Sequence, residues 1–119
     1  MNREWIVSDT AKADIRNQVI WYESDESHGG DALADRWQEQ LELALAKLAA
    51  VPERHGMAPE NGRWNKSMVI RQMLFRPWKS GAGWRVLYTI DEAAKTVIVL
   101  QVRHARRRFL HESADEDAG

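Results

Sequence analysis

MVIRQMLFRPWKSGAGWRVLYTIDEAAKTVIVLQVRH, residues 68–104, contains three apolar runs separated by turn chemistry, and its reading decides the fold. Met68–Phe75, Trp84–Ile90 and Thr96–Val102 are rich in β-branched, aromatic and other apolar side chains, the composition of strands. Pro77–Gly83 turns the chain between the first two, and Asp91–Lys95 between the last two. Thr96–Val102 is apolar on both alternating sets, which predicts a central strand covered on both faces. Such a ribbon needs a cover, and the sequence before it supplies one.

Leu33, Trp37, Leu41, Ala44, Leu45 and Leu48 form one continuous helical stripe. This helix is expected to begin near Asp31 and to stop at Val51, because Pro52 disfavours helical geometry in the residue before it. An earlier helix is expected from Ala11, where Ala11, Ile15, Val19 and Tyr22 recur at helical spacing behind the capping candidates Ser8, Asp9 and Thr10. Glu23–Gly30 breaks it. Ahead of both, Glu4–Val7 reads as a short strand, and residues 52–66 read as a connecting loop without periodicity. The order strand, helix, helix, strand, strand, strand predicts an α+β fold. In it a helical hairpin packs on one face of a small, mostly antiparallel four-stranded sheet.

The 119 residues suit one domain, expected over residues 1–110, with residues 111–119 an acidic, disordered tail. The absence of cysteine excludes disulfides and cysteine-based zinc sites. His28, His55, His104 and His111 show no metal-ligand spacing, and neither metal nor cofactor is expected. The N-terminus lacks the apolar run of a signal peptide, and no window approaches the roughly 20 apolar residues of a membrane span. A cytoplasmic protein without membrane partners is the expectation. Charge is distributed unevenly. Residues 1–60 carry 6 Lys/Arg against 12 Asp/Glu, whereas residues 61–110 carry 11 Lys/Arg and only Asp91 and Glu92. That asymmetry predicts a cationic working surface in the second half.

Three segments then carry a family likeness: Ile70-Arg71-Gln72-Met73-Leu74, Trp84-Arg85-Val86-Leu87-Tyr88 and Val102-Arg103-His104. In this order and at this spacing, over roughly residues 4–108, the chain resembles the RelE/ParE toxins of type II toxin–antitoxin systems. The resemblance implies a growth inhibitor held inactive by a cognate antitoxin laid over the hairpin and part of the sheet. It leaves two targets open: ParE-like members inhibit DNA gyrase, whereas RelE-like members cleave mRNA on the ribosome. A degenerate member that only binds its antitoxin is a third possibility.

Metal-free RNA cleavage needs a base for the 2′-proton, cations for the phosphorane and an acid for the leaving oxygen. The resemblance places Arg85 at a phosphate-binding position. Arg71, Arg85, Arg103, Arg106 and Arg107 are candidates for a phosphate- or target-binding patch, with His104 the titratable partner of Arg85 if the chain is a ribonuclease. Two departures leave that catalytic set incomplete. Ala105 stands where RelE-like members carry an arginine, and no tyrosine follows Tyr88; Phe109 can stack but cannot move a proton. Among the six tryptophans, Trp37 is read as core, while Trp21, Trp64 and Trp78 are candidates for partner contacts.

Overall fold

The computed structural model describes residues 4–79, 81 and 83–106. It contains strand β1 (Glu4–Val7), helix α1 (Asp9–Glu23), helix α2 (Gly30–Ala50), and strands β2 (Arg71–Phe75), β3 (Trp84–Asp91) and β4 (Thr96–His104). Arg107 and the tail expected at 111–119 lie outside the described residues.

The sheet has the order β1-β4-β3-β2. β1 runs parallel to β4, and the other two pairings are antiparallel. β4 is therefore central, as its doubly apolar sequence predicts. Its two apolar sets have a specific cause. Leu87 pairs with Gln101 but Tyr88 pairs with Val99, so Leu100 is an extra residue that shifts the alternation. Val97 and Val99 on one side of this bulge, and Val102 on the other, all reach the same core with Val86 and Tyr88.

That core lies between the sheet and the helical hairpin, with Trp37, Leu41, Leu45 and Leu48 entering from α2 and Ala11 and Tyr22 from α1. α1 starts two residues earlier than its apolar stripe, at Asp9, because Ser8 is the cap. The Ser8 hydroxyl accepts from Ala11 N–H (3.1 Å) and donates to the Leu100 carbonyl (2.8 Å). One side chain thus closes the helix start and ties it to the central strand. Gly29, at φ +120°, makes the break between the helices.

The opposite face of the sheet is not bare. β2 begins at Arg71 rather than Met68, because Ile70 is engaged elsewhere: its carbonyl accepts from Ala58 N–H, and its N–H donates to Asn61 Oδ1. The segment expected as a plain connecting loop folds over this face instead. Ala58 and Ile70 bury Leu87 in a second, smaller core, with Met68 and Leu100 packed alongside. No helix among the described residues is long and apolar enough to cross a membrane.

Tyr88 fastens the exit of α2 to the sheet. It is fully buried, and its hydroxyl donates to the Pro52 carbonyl at 2.6 Å. Burial pushes its phenol up to about 12 from the ordinary 10.0. The folded chain therefore holds this proton more tightly than the unfolded chain does. The resulting stability is complete below pH 10 and is lost as pH rises through about 12. Tyr88→Phe is expected to cost about 1–2 kcal/mol at neutral pH, since the Pro52 carbonyl loses its donor. It should also flatten the alkaline loss of stability, as read by urea unfolding across that pH range. An unchanged alkaline profile would assign the transition to other groups.

Candidate functional site

Register decides which candidate side chains meet, because directly paired residues share a face of the sheet. Arg85 pairs with Arg103, and both point away from the hairpin. Arg71 pairs with Tyr88 and His104 pairs with Trp84, so these two lie on the hairpin side. The convergent patch expected from Arg71, Arg85 and Arg103 therefore does not form, and His104 does not join Arg85.

Nor is Arg85 an open cation. It is buried, with Nη2 and Nη1 donating to the two carboxylate oxygens of Glu60 at 2.5 and 3.1 Å and Nε donating to Gln72 Oε1 at 3.0 Å. Glu60 itself is fully buried. This bidentate pair clasps the 52–70 segment to the sheet. Arg103 is buried beside it and donates to Gln101 Oε1 at 2.7 Å. Arg71 directs Nη1 at the His55 carbonyl (2.6 Å), closing the same segment at its other end. Like charges opposed on neighbouring strands, as Arg85 and Arg103 are, are destabilising without counter-charge. Glu60 supplies that charge from a stretch whose sequence shows only turn residues.

On the hairpin side the structure brings together residues that the sequence leaves far apart. Trp21 and Tyr22 at the end of α1, Trp78 from the β2–β3 connection, Trp84 and His104 line a cleft of about 450 Å³, with Gln18 beside them. A smaller cleft of about 250 Å³ adjoins it, shares Gln18, Trp21, Trp84 and His104, and is lined also by Asp14 and Trp37. Gly83 allows the close approach here: it sits at φ +81°, and a Cβ there would come within 2.7 Å of the Phe75 carbonyl oxygen. His104 is exposed, its ring edge-on to Trp84 at 5.6 Å, and its Nδ1 accepts from Arg106 N–H at 3.2 Å. Accepting at Nδ1 puts the proton of the neutral ring on Nε2. Arg106 is exposed at the end of the described chain.

Of the three tryptophans expected as partner contacts, Trp21 and Trp78 therefore flank one cleft. Trp64 stands apart on the 52–70 segment, a strap across the opposite face, and is partly exposed between Arg63 and Lys66. Reading the sequence missed Tyr22 and Trp84 as cleft walls and Glu60 as the partner of Arg85. Tyr22 lies on the α1 stripe and Trp84 in a strand, so both look like core, which in part they are. Among the described residues no group of three His, Cys, Asp or Glu can hold a metal ion.

No curated protein matches the chain. Its fold is similar to that of several solved toxin structures. One is the RelBE2 toxin–antitoxin complex of Mycobacterium tuberculosis, at TM-score 0.53 and 18% identity over 87% of this chain and 99% of that one. Another is the intact RelBE toxin–antitoxin complex of E. coli, at TM-score 0.53 and 17% identity over 88% and 99%. The isolated RelE toxin of E. coli aligns at TM-score 0.52 and 16% identity, over 98% of this chain and 99% of that one. At such identities these likenesses establish the fold. The family model described as the ParE toxin of the type II toxin–antitoxin system, parDE, matches residues 6–109. The match spans both helices and all but the first residues of the sheet, and the chain accordingly belongs to the ParE toxin family of type II toxin–antitoxin systems.

Proposed function

We propose that this toxin arrests growth through contact with a protein target of the DNA gyrase type, without cutting RNA, and that a cognate antitoxin neutralises it. The observation that carries the reading is the Glu60–Arg85 clasp. A phosphorane needs an accessible cation beside the base and acid, whereas here the arginine at the expected phosphate position is buried against a carboxylate. His104 lies across the sheet from it, and Ala105 leaves the neighbouring place without charge. Binding a protein surface demands none of that convergence. Arg71, Arg103, Arg106 and Arg107 then serve binding and folding rather than chemistry, with Trp21, Trp64 and Trp78 as contact residues.

The test compares two reactions of the purified chain. Gyrase supercoiling is expected to be inhibited, while mRNA on translating ribosomes stays intact. Codon-positioned cuts that vanish in Arg85→Ala would replace this reading with the ribonuclease one. If neither reaction responds and expression leaves growth unaffected, the chain is a non-toxic antitoxin binder.

For the antitoxin, the supporting features are apolar and exposed. Trp5, Val7, Ile15 and Leu43 border a groove of about 670 Å³ between β1 and the helices, and Leu43 is 57% exposed. Uncovered apolar surface of this extent marks a binding face. Adding antitoxin at a thousand times its dissociation constant is expected to raise stability by about 4 kcal/mol. A melting temperature unmoved by the partner would remove this groove as its seat.

A further inference from the structure

We infer that the aromatic cleft between α1 and the β2–β3 connection binds unpaired bases of a single-stranded nucleic acid. This goes beyond the choice of toxin target and needs no catalytic group.

The two lips of the cleft are indoles held in place from behind. Trp21 is half exposed, yet its ring stacks on His28 with centroids 3.9 Å apart and planes 4° from parallel. His28 is itself fixed, its Nδ1 2.8 Å from the Trp21 carbonyl oxygen and 3.3 Å from Ser24 Oγ. On the opposite lip Trp78 has the Arg36 guanidinium 5.9 Å from its ring centroid and Tyr22 edge-on at 6.3 Å. Neither indole has to be ordered when a flat ring arrives, and preorganisation of this kind lowers the cost of binding. A volume of about 450 Å³ falls in the range of small-ligand sites.

Polar groups in the wall fit a heteroaromatic ring better than a hydrocarbon one. His104 offers Nε2–H, since its Nδ1 already accepts from Arg106. Gln18 contributes an amide that can donate or accept. Cations reach the surroundings of the opening from separate segments. Arg36 backs Trp78, Arg76 donates to the carbonyl of the cleft residue Gly81, Lys79 follows Trp78, and Arg106 follows the described end of β4. Acids stand beside the opening as well: Glu23 follows Tyr22, Asp25 and Glu26 precede His28, and Asp14 lines the smaller cleft, where it accepts from Val102 N–H. Fixed stacking platforms with cations within reach of the phosphates are the combination that holds single strands without reading sequence.

The test uses the full chain and labelled oligomers of about twelve nucleotides, within the usual site size, followed by fluorescence anisotropy at two or more salt concentrations. Oligo(dT) or oligo(rU) is expected to bind, and the tighter of the two identifies the polymer. An abasic oligomer of equal length and charge should bind about tenfold or more weakly, because it keeps the phosphates and loses the stacking. Trp21→Ala and Trp78→Ala, shown folded by circular dichroism, should each weaken binding about 5- to 100-fold. Arg106→Ala should instead reduce the salt dependence by about one in slope. The inference is overturned if the abasic oligomer binds as well as the others, or if no oligomer binds at low salt. It is equally overturned if both folded tryptophan variants keep full affinity, or if an acidic tryptophan-bearing peptide of equal charge binds more tightly than any oligomer. Because gyrase inhibition is measured separately, its loss or survival leaves this outcome distinct.

Discussion

Glu60→Ala is expected to destabilise the protein by about 3–5 kcal/mol, the usual result of leaving one member of a buried ion pair behind. Glu60 is fully buried and Arg85 nearly so, and the two meet through both carboxylate oxygens. Without the carboxylate, a guanidinium remains in a site walled by β3 and the strap, directly across from Arg103. For a domain of this size the loss corresponds to a fall in melting temperature of roughly 10–20 °C. Glu60→Gln keeps hydrogen-bonding capacity but not charge, and should fall between the two. The double variant Glu60→Leu/Arg85→Met should recover most of the loss, since exchanging a whole buried pair for apolar contacts is often neutral. Chemical denaturation of the parent, Glu60→Leu, Arg85→Met and the double variant gives the coupling directly. A Glu60→Ala protein within about 1 kcal/mol of the parent would mean that the clasp behaves like a surface pair, and the case for Arg85 as a structural residue would fall with it.

The hairpin and the central strand were legible because their information is local. The stripe from Leu33 to Leu48 needs only helical periodicity, and all four of Trp37, Leu41, Leu45 and Leu48 are buried. The arginine patch was not legible, because strand parity depends on register and register depends on contacts far away in sequence. Arg71 and Arg85 look equivalent as single cations on consecutive strands. Only the pairing of Arg71 with Tyr88, and of Arg85 with Leu74, places them on opposite faces. The bulge at Leu100 has no signature in TVIVLQV, where every phase is apolar. Glu60 is a lone acid among turn residues, and nothing near it in sequence points to a partner 25 residues on. The aromatic cleft draws on α1, the β2–β3 connection and two strands, so it exists only once the sheet has formed.

Trp37→Ala is expected to have an effect of similar size, about 3–5 kcal/mol, for a different reason. The indole is fully buried and makes edge contacts with Trp84 (5.6 Å) and Phe75 (5.9 Å), with Tyr22 a little farther away at 6.4 Å. It therefore joins α2, α1, β2 and β3 at one point, and removing it leaves a cavity that four elements would have to close together. Trp37→Phe separates volume from polarity. The indole N–H is buried with no hydrogen-bond acceptor among the described residues, and an unmet buried donor costs about 1–3 kcal/mol. Phenylalanine loses part of the ring but also loses that donor, so the two changes oppose each other. The phenylalanine variant should stay within about 1.5 kcal/mol of the parent, far from the alanine variant in the same urea titration. If instead phenylalanine destabilised as much as alanine, the N–H would have to be making an interaction as strong as the whole ring, such as one with the face of a neighbouring aromatic, and Trp37 would count as a polar hinge of the core rather than its filler.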